Sequence, residues 1–329
     1  MTVPNPPFIL LTVTWGRDKA HFSLLRESLL RSSFAQIPHH VVVQQEDLEL
    51  FREFPGIILH SSADVLPPEV EQHRRSACKW QARLGRRGTV IGGSLVRYIG
   101  WPRWVRYTGW HTQQLSKLAF VAQSPVDTVV ILDSDVIVTP HAESADFVCP
   151  GKNVCYADLR PLAQLKGKVR HWQQTAHRLF GTPFPSGDYY DAYYDTPFVM
   201  HASSLRGMLA WLEQRYSRPW WSTLLQQAPR RWSEFGIYKH YLRTLSSTPV
   251  DWRATHAMAY LFDARDVMQL AEHFDQALHH QRAHYITIHS QSSGRQLWSA
   301  QAYQDVIRQR LADGLPHSNV APAPQSESI

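Results

Sequence analysis

Cysteines are few and long apolar runs are missing, which limits the kinds of protein this sequence can encode. The 329 residues include only 3 cysteines, Cys78, Cys149 and Cys155, with no Cys-x-x-Cys pair and no Cys/His metal spacing. A disulfide scaffold and a structural zinc site are therefore not expected. No segment approaches the ~18 consecutive apolar residues of a membrane span, and the N-terminus has no basic region before a long apolar stretch. We expect a cytoplasmic protein that does not cross a membrane.

Acidic residues are missing from one long stretch. Residues 72–126 contain no Asp or Glu, although the whole chain has a net charge of only +6. Such a stretch predicts an anionic partner, which could be a phosphate, a nucleic acid or an acidic membrane surface. Residues 72–108 have no clear period and are interrupted by Trp and Gly, so we expect an insertion or mobile loop there. Ten basic residues lie in the stretch: Arg74, Arg75, Lys79, Arg83, Arg86, Arg87, Arg97, Arg103, Arg106 and Lys117.

The remaining composition is that of a globular α/β protein. Hydrophobic residues make up 43% of the chain and charged residues 19%, which favours burial over disorder. Short apolar runs at 8–13, 41–43 and 57–59 alternate with helical patterns, and this alternation indicates a mixed, mainly parallel sheet flanked by helices in a single domain. In the second half, the pattern predicts a strand near 197–200, a helix from Ser233, a strand at 285–289 and a helix at 299–311.

Asp133, Ser134 and Asp135 form the sharpest motif. They follow the apolar run 129–132 directly, and apolar residues resume at Val136. In extended backbone, residues i and i+2 point to the same side, so the two carboxylates converge on one cation. Hard oxygen ligands suit Mg²⁺ or Mn²⁺, and the carboxyl end of a central strand is where open α/β sheets bind ligands. An ordinary turn is the alternative, and the position after a buried strand favours the metal.

A helix is predicted from Trp110 to the Ser124-Pro125 pair. Its polar face carries Gln113, Gln114 and Lys117. A solvated surface would explain these three residues, but a pair of glutamines before a lysine, on a helix leading into the aspartate strand, favours ligand binding. The apolar stripe of this helix consists of Leu115, Leu118, Ala119 and Ala122.

Four segments in this order, 8–13, 109–118, 131–135 and 232–238, resemble the GT-A-fold glycosyltransferases. The resemblance is greatest to a poorly characterised bacterial branch linked to lipopolysaccharide-core and capsule synthesis, and it covers residues 8 to about 312. It implies a divalent-metal-dependent enzyme that transfers a sugar from a nucleotide-sugar donor to a cell-envelope glycan or glycolipid acceptor. The expected sugar is a hexose.

The resemblance also implies a division of the chain. The domain would span residues 1–315, with a nucleotide-binding half at about 8–140, an acceptor half at about 141–315 and the basic insertion at about 72–108. Residues 316–329 are expected to form a disordered tail.

Site roles follow from the same resemblance. Asp133 and Asp135 would hold Mn²⁺ or Mg²⁺ on the donor diphosphate, with His289 as a further ligand unless it is one of many structural histidines. Trp15 would stack on the nucleotide base unless it is a packing residue. The predicted donor-binding residues are Thr14, Trp15, Arg17, Asp18, Gln113, Gln114, Lys117, Asp133 and Ser134.

The resemblance also implies that Glu234 is the acid/base residue. It begins a helix after Ser233, where a glutamate is also favoured simply by the helix dipole. Asp191 and Asp195 are the alternative bases, and together with Tyr194 they are the predicted acceptor-binding residues. Aromatic faces and carboxylates are what sugar rings and their hydroxyls require.

The main competing hypothesis is a non-enzymatic protein that binds RNA or another polyanion. Aromatic residues are interleaved with the basic ones, as in single-strand binding surfaces. The same stretch could instead form a lid over the donor diphosphate or dock peripherally on an anionic membrane at its inner face. We favour a lid with membrane docking and expect no specific nucleic acid partner. A phosphotransferase or nuclease is less favoured, because such sites gather more carboxylates than this sequence offers.

Overall fold

The computed structural model describes residues 6–99, 106–107, 109–185, 187–261, 264, 266–288 and 300–313. The strands in these residues are β1 (Ile9–Val13), β2 (His39–Val43), β3 (Ile57–Ser61), β4 (Thr128–Ile131), β5 (Val136–Val138), β6 (Asn153–Ala157), β7 (Leu159–Pro161), β8 (Tyr189–Asp191), β9 (Phe198–His201), β10 (Val250–Ala254), β11 (Met258–Tyr260) and β12 (Tyr285–Thr287). The helices are α1 (Lys19–Leu30), α2 (Leu48–Phe51), α3 (Ser62–Val65), α4 (Pro68–Ile99), α5 (Trp110–Gln123), α6 (Gly167–Phe180), α7 (Ala202–Tyr216), α8 (Trp220–Leu225), α9 (Glu234–Thr244), α10 (Val267–Asp275) and α11 (Ala300–Asp313).

The central sheet has five strands in the order β3-β2-β1-β4-β9. β1 is parallel to both β2 and β4, β2 is parallel to β3, and only β9 runs antiparallel to its neighbour. Every residue of β1 is buried, as is expected of a central strand covered on both faces. The prediction of a mixed, mainly parallel sheet flanked by helices is therefore confirmed.

The two halves of the chain share this sheet. β4 comes from the first half and β9 from the second, and Ile131 lies opposite Phe198 in their pairing. A smaller sheet in the order β11-β12-β5 continues from the aspartate motif. One hydrophobic core includes side chains from β1, β2, β4 and β9 and from the helices packed on them, so the chain forms a single domain.

Helix α5 buries polar side chains as well as its apolar stripe. Leu115 and Leu118 belong to the core, as the helical spacing predicts. Gln114 and Lys117 are buried as well, because α5 contacts β1 and also α7 and α9. A solvated face therefore does not explain these two polar residues, and they need partners inside the protein.

The basic stretch is helical where the sequence predicted a loop, so that expectation is wrong for residues 72–99. They belong to α4, which begins at Pro68, a residue well suited to the first turn of a helix. Val70, Arg74 and Ala77 are buried at helical spacing. Because the central residue of this buried face is an arginine, the helical period is hard to recognise in the sequence. Gly85, with φ of +62°, marks a kink in the helix.

Part of the positive charge is compensated by acids that precede the stretch. Arg74 lies 2.6 Å from Glu71 and 3.5 Å from Glu46, and Arg75 lies 2.9 Å from Glu71. Arg74 is buried by these contacts, so its predicted role toward an external anion is wrong.

No helix in the described ranges is long and apolar enough to cross a membrane. The predicted tail, 316–329, lies outside the described residues.

Candidate functional site

The aspartate motif lies where two parallel strands end. β1 and β4 are neighbours, so Thr14, after β1, and the Asp133–Asp135 turn, after β4, share one edge of the sheet. The Ser134 hydroxyl donates to Thr14 Oγ1 at 2.7 Å, and the Asp133 amide donates to Thr196 Oγ1 at 3.2 Å. The turn is thus fixed by the loops on both sides of it.

Lys117 supplies a buried positive charge to this edge. Its Nζ lies 2.9 Å from Asp133 Oδ1 and 3.3 Å from Glu234 Oε1, and the side chain is only 3% exposed. Burial acts to lower the pKa of Lys117, but the two carboxylates outweigh it and raise the pKa above its usual value. The ammonium group therefore stays charged and joins the aspartate turn to α9.

Glu234 faces Lys117 rather than solvent. Ser233 caps α9 by accepting from the Gly236 amide, and the Glu234 amide donates to Gln114 Oε1 at 2.9 Å. Burial raises the pKa of Glu234, while the charge of Lys117 acts in the opposite direction. The predicted base role of Glu234 stays a prediction, and the geometry gives its carboxylate a second task, which is to hold Lys117.

The amide of Gln114 has a donor left over. Its Oε1 accepts from Glu234, but its Nε2 is buried with no hydrogen-bond partner within the described part of the chain. A buried donor without a partner is costly, by about 1–3 kcal/mol. This nitrogen suits an oxygen of a bound ligand.

Asp195 lies beside the aspartate turn and is partly exposed. Burial raises the pKa of Asp195 to about 6, and the charge of Asp133 acts in the same direction. Its Oδ1 accepts from the Thr196 amide at 3.1 Å. This carboxylate interacts electrostatically with two residues from other elements, Lys168 on α6 and Tyr260 on β11.

Asp191 is engaged elsewhere. It is 2% exposed, and its Oδ2 lies 2.6 Å from Lys239 Nζ and 2.7 Å from Arg243 Nη2. Its Oδ1 accepts from two backbone amides, those of residues 158 and 193. This carboxylate has all the partners it needs, so it supports the surrounding wall and is a poor candidate for the base.

Asp191 and Tyr194 line a cavity of about 430 Å³ between α6, α9 and the antiparallel strand pair β7–β8. The Tyr194 ring packs so closely on α9 that a Cβ at Gly236 would lie 2.7 Å from it, which explains why glycine occurs there. Glu234, the first residue of α9, contacts Lys117. The three predicted acceptor residues thus fall in two places, Asp195 at the aspartate turn and the other two in this cavity.

The loop after β1 presents an exposed tryptophan. Trp15 is 41% exposed, which does not suit a packing residue. Its indole N–H donates to Asp18 Oδ2 at 2.5 Å, and the Arg17 guanidinium lies 5.1 Å from its ring. Gln113 ties α5 to the same loop by donating to the Val13 carbonyl at 3.1 Å. These contacts bring the predicted donor residues to one end of the sheet.

The aspartate pair fits a hard divalent cation. Both carboxylates are partly exposed, on either side of buried Ser134, and Mg²⁺ often binds one or two carboxylates with water and phosphate oxygens in its other positions. The ranges that the structure covers contain no group of three or more His, Cys, Asp or Glu side chains arranged for a metal. The predicted ligand His289 lies outside the described residues. Its neighbour Ile288 donates from its amide to the Asp135 carbonyl at 2.9 Å.

Three residues near the aspartate turn were not found from the sequence. Thr196 adjoins Asp195, so its place could have been suspected once that carboxylate was singled out. Lys168 and Tyr260 come from α6 and β11, and no local pattern indicates that these elements meet the end of β4.

These features define an α/β protein with an acidic site at the carboxyl edge of its central sheet. The chain belongs to the family of unknown function DUF6492, which it matches over residues 9–303. Comparison with curated proteins gives no match.

Several solved structures are similar at low identity. The galactosyltransferase LgtC, in complex with donor and acceptor sugar analogs, is 12% identical with a TM-score of 0.45 over 93% of this chain and 99% of that chain. An active-site mutant of LgtC is also 12% identical, with a TM-score of 0.44 over 91% and 95%. Apo mouse xyloside xylosyltransferase 1 is 15% identical, with a TM-score of 0.40 over 85% and 97%. Similarity at this level identifies neither a reaction nor a substrate.

Proposed function

We propose that the protein is a glycosyltransferase that uses Mn²⁺ or Mg²⁺ and a nucleoside diphosphate sugar as donor. The observation that carries this proposal is the pairing of the Asp133–Asp135 turn with buried Lys117 at the carboxyl edge of the sheet. Two carboxylates can hold a divalent cation, and the buried ammonium group, which is already paired with Asp133 and Glu234, fixes one of them in place. A simple turn would need no buried lysine.

Asp133 and Asp135 would hold the ion, which when bound neutralises the charge of the leaving nucleoside diphosphate. Lys117 keeps Asp133 in place through the contact of 2.9 Å and connects it to Glu234. The free Nε2 of Gln114 would donate to a donor oxygen. Thr14 and Ser134 fix the turn by their hydrogen bond, so the carboxylates are oriented before the ligand arrives.

The exposed indole of Trp15 would stack on the nucleotide base. The Asp18 carboxylate accepts from the indole N–H and the Arg17 guanidinium lies 5.1 Å from the ring, so both help to orient Trp15. Gln113 fixes the end of β1 from which this loop departs. The donor would then extend from Trp15 toward the aspartate turn along the edge of the sheet.

Asp195 is the carboxylate that we propose as the base. It lies beside Asp133, it is partly exposed, and no basic side chain pairs with it within 4.0 Å in the described ranges. Glu234 is buried against Lys117 and Asp191 against Lys239, so neither faces an incoming hydroxyl. A base must reach the proton that it removes, and this condition favours Asp195.

The acceptor is proposed to be a cell-envelope glycan, such as a lipopolysaccharide core or a capsular chain, and the transferred sugar a hexose. The cavity lined by Asp191 and Tyr194 combines aromatic rings with hydrogen-bonding groups, which suits sugar rings. The three cysteines are free, and this agrees with a reducing compartment such as the cytoplasm.

The competing RNA-binding hypothesis has less support from the described residues. Tyr107 packs on the His73 ring, with centroids 4.8 Å apart, and does not project as a stacking platform. Arg74 and Lys117 are buried against carboxylates. Trp101 and Trp104, two of the aromatic residues on which that hypothesis depends, lie outside the described residues.

The proposal is tested by measuring slow donor hydrolysis with UDP- and GDP-sugars in the presence of Mn²⁺. We expect one donor to release its nucleotide at a rate that EDTA abolishes, since the carboxylate pair and the diphosphate repel each other without the cation. Asp188→Asn, which removes an exposed carboxylate just before β8, should leave this rate unchanged. Hydrolysis that persists in EDTA, or the absence of hydrolysis with every donor, would contradict the proposal.

A further inference from the structure

Helix α4 exposes large apolar side chains on both sides of its kink at Gly85. Trp80 and Leu84 lie one turn apart before the kink and are 50% and 47% exposed. Ile91 and Leu95 lie one turn apart after it and are 59% and 38% exposed. A single exposed apolar residue is ordinary, but two such pairs on one helix indicate an interaction surface.

Basic side chains border the first pair. Lys79 and Arg83 are exposed, and the Arg83 guanidinium lies 5.8 Å from the Trp80 ring. In the described part of the chain neither has a carboxylate within ion-pair distance, and the sequence supplies no acid from residue 72 to residue 126. We call these side chains, Lys79, Trp80, Arg83, Leu84, Ile91 and Leu95, the α4 surface.

The first half of α4 is anchored, which argues against a lid. Val70, Arg74 and Ala77 are buried on its inner face, and Arg74 is paired with Glu71 at 2.6 Å. A segment that closes over a ligand would have to give up these contacts. The part of the α4 surface before the kink, from Lys79 to Leu84, is therefore a fixed outer face of the protein.

We propose that the α4 surface docks the protein on a membrane with anionic headgroups. Apolar and aromatic side chains bordered by Lys and Arg are typical of helices that lie in the plane of a bilayer interface. A second copy of the chain would bring like charges together. Three of the four apolar side chains, Leu84, Ile91 and Leu95, are aliphatic and offer no stacking face to a nucleic acid, which leaves only Trp80 for stacking. This inference goes beyond the proposed reaction and does not depend on it.

The test is co-sedimentation of the full chain with vesicles, without donor or acceptor. We expect binding to vesicles of phosphatidylcholine with about a third phosphatidylglycerol and much weaker binding to phosphatidylcholine alone. Lys79→Gln with Arg83→Gln should weaken binding about thirtyfold, since each basic residue near such a surface contributes about a fivefold factor. Trp80→Ser with Leu84→Ser should weaken it at least about tenfold.

The matched control is Leu50→Ser with Met268→Ser. Both side chains are exposed, 44% and 68%, and both lie on helices other than α4. This variant should bind vesicles like the unchanged protein. Equal binding by the Trp80 and Leu84 variant, or equal binding to both kinds of vesicle, would overturn the proposal. So would a dimer that the same substitutions dissociate while no vesicle binding occurs. Donor hydrolysis in solution should be unchanged in every variant, which separates failure of docking from failure of the reaction.

Discussion

Replacing Lys117 with methionine is expected to lower the free energy of unfolding by about 3–5 kcal/mol. Methionine is of similar length and apolar, so packing changes little, but the Glu234 carboxylate is left buried without its cation. Asp133 is affected less, because its side chain is 30% exposed, although Oδ1, the oxygen that faces Lys117, is buried. The measurement is urea denaturation followed by circular dichroism.

A double variant separates the charge from the packing. Lys117→Met combined with Glu234→Gln removes both charges, so most of the lost stability should return. Lys152→Met is the control, since this exposed lysine lies just before β6 and forms no ion pair within the described residues; its cost should stay within about 0.5 kcal/mol. A cost below about 1 kcal/mol for Lys117→Met would show that the buried ion pair does not hold α5, α9 and the turn together.

The substitution Asp195→Asn is expected to lower the transfer rate by about 10²–10⁴-fold while metal-dependent nucleotide binding stays intact. The amide keeps the size of the side chain and its hydrogen bond from the Thr196 amide, but it cannot take the acceptor proton. The measurement is kcat and KM for transfer to a soluble glycan acceptor, with nucleotide affinity determined separately.

Glu234→Gln should behave differently. Its carboxylate faces Lys117, so its loss is expected to weaken nucleotide binding together with turnover rather than turnover alone. Asp188→Asn, an exposed carboxylate of the same region as Asp195, serves as the control with normal kinetics. The opposite result would be near-normal kcat in Asp195→Asn and a loss of kcat of at least about a hundredfold in Glu234→Gln. That result would identify Glu234 as the base.

The central sheet could be predicted because its strands are short apolar runs, and buried strands are read from composition alone. The aspartate turn could be predicted for the same reason, since it interrupts one of those runs. The meeting of Lys117 and Glu234 could not be predicted from these patterns. Each lies on a helix whose period is clear, but helical periodicity does not say which two helices pack together.

The errors concern residues whose partners are distant or unusual. The period of α4 is hard to recognise because Arg74 occupies a core position, where Glu71 and Glu46 balance its charge. The sequence offers Asp191 as an alternative base, but Lys239 and Arg243 from α9 pair with its carboxylate. Sequence patterns show which residues carry charge, whereas the tertiary structure decides which charges are already neutralised.

The most direct test of the central claim is thermal unfolding with a nucleoside diphosphate, either UDP or GDP, in the presence and absence of Mn²⁺. One nucleotide at about 100 times its Kd should stabilise the protein by about 2.7 kcal/mol with Mn²⁺. It should have no effect in EDTA or in the variant Asp135→Asn, because the carboxylate pair then lacks the ion or cannot hold it. Equal stabilisation in EDTA, or in Asp135→Asn with Mn²⁺, would contradict a metal-dependent nucleotide site at the aspartate turn.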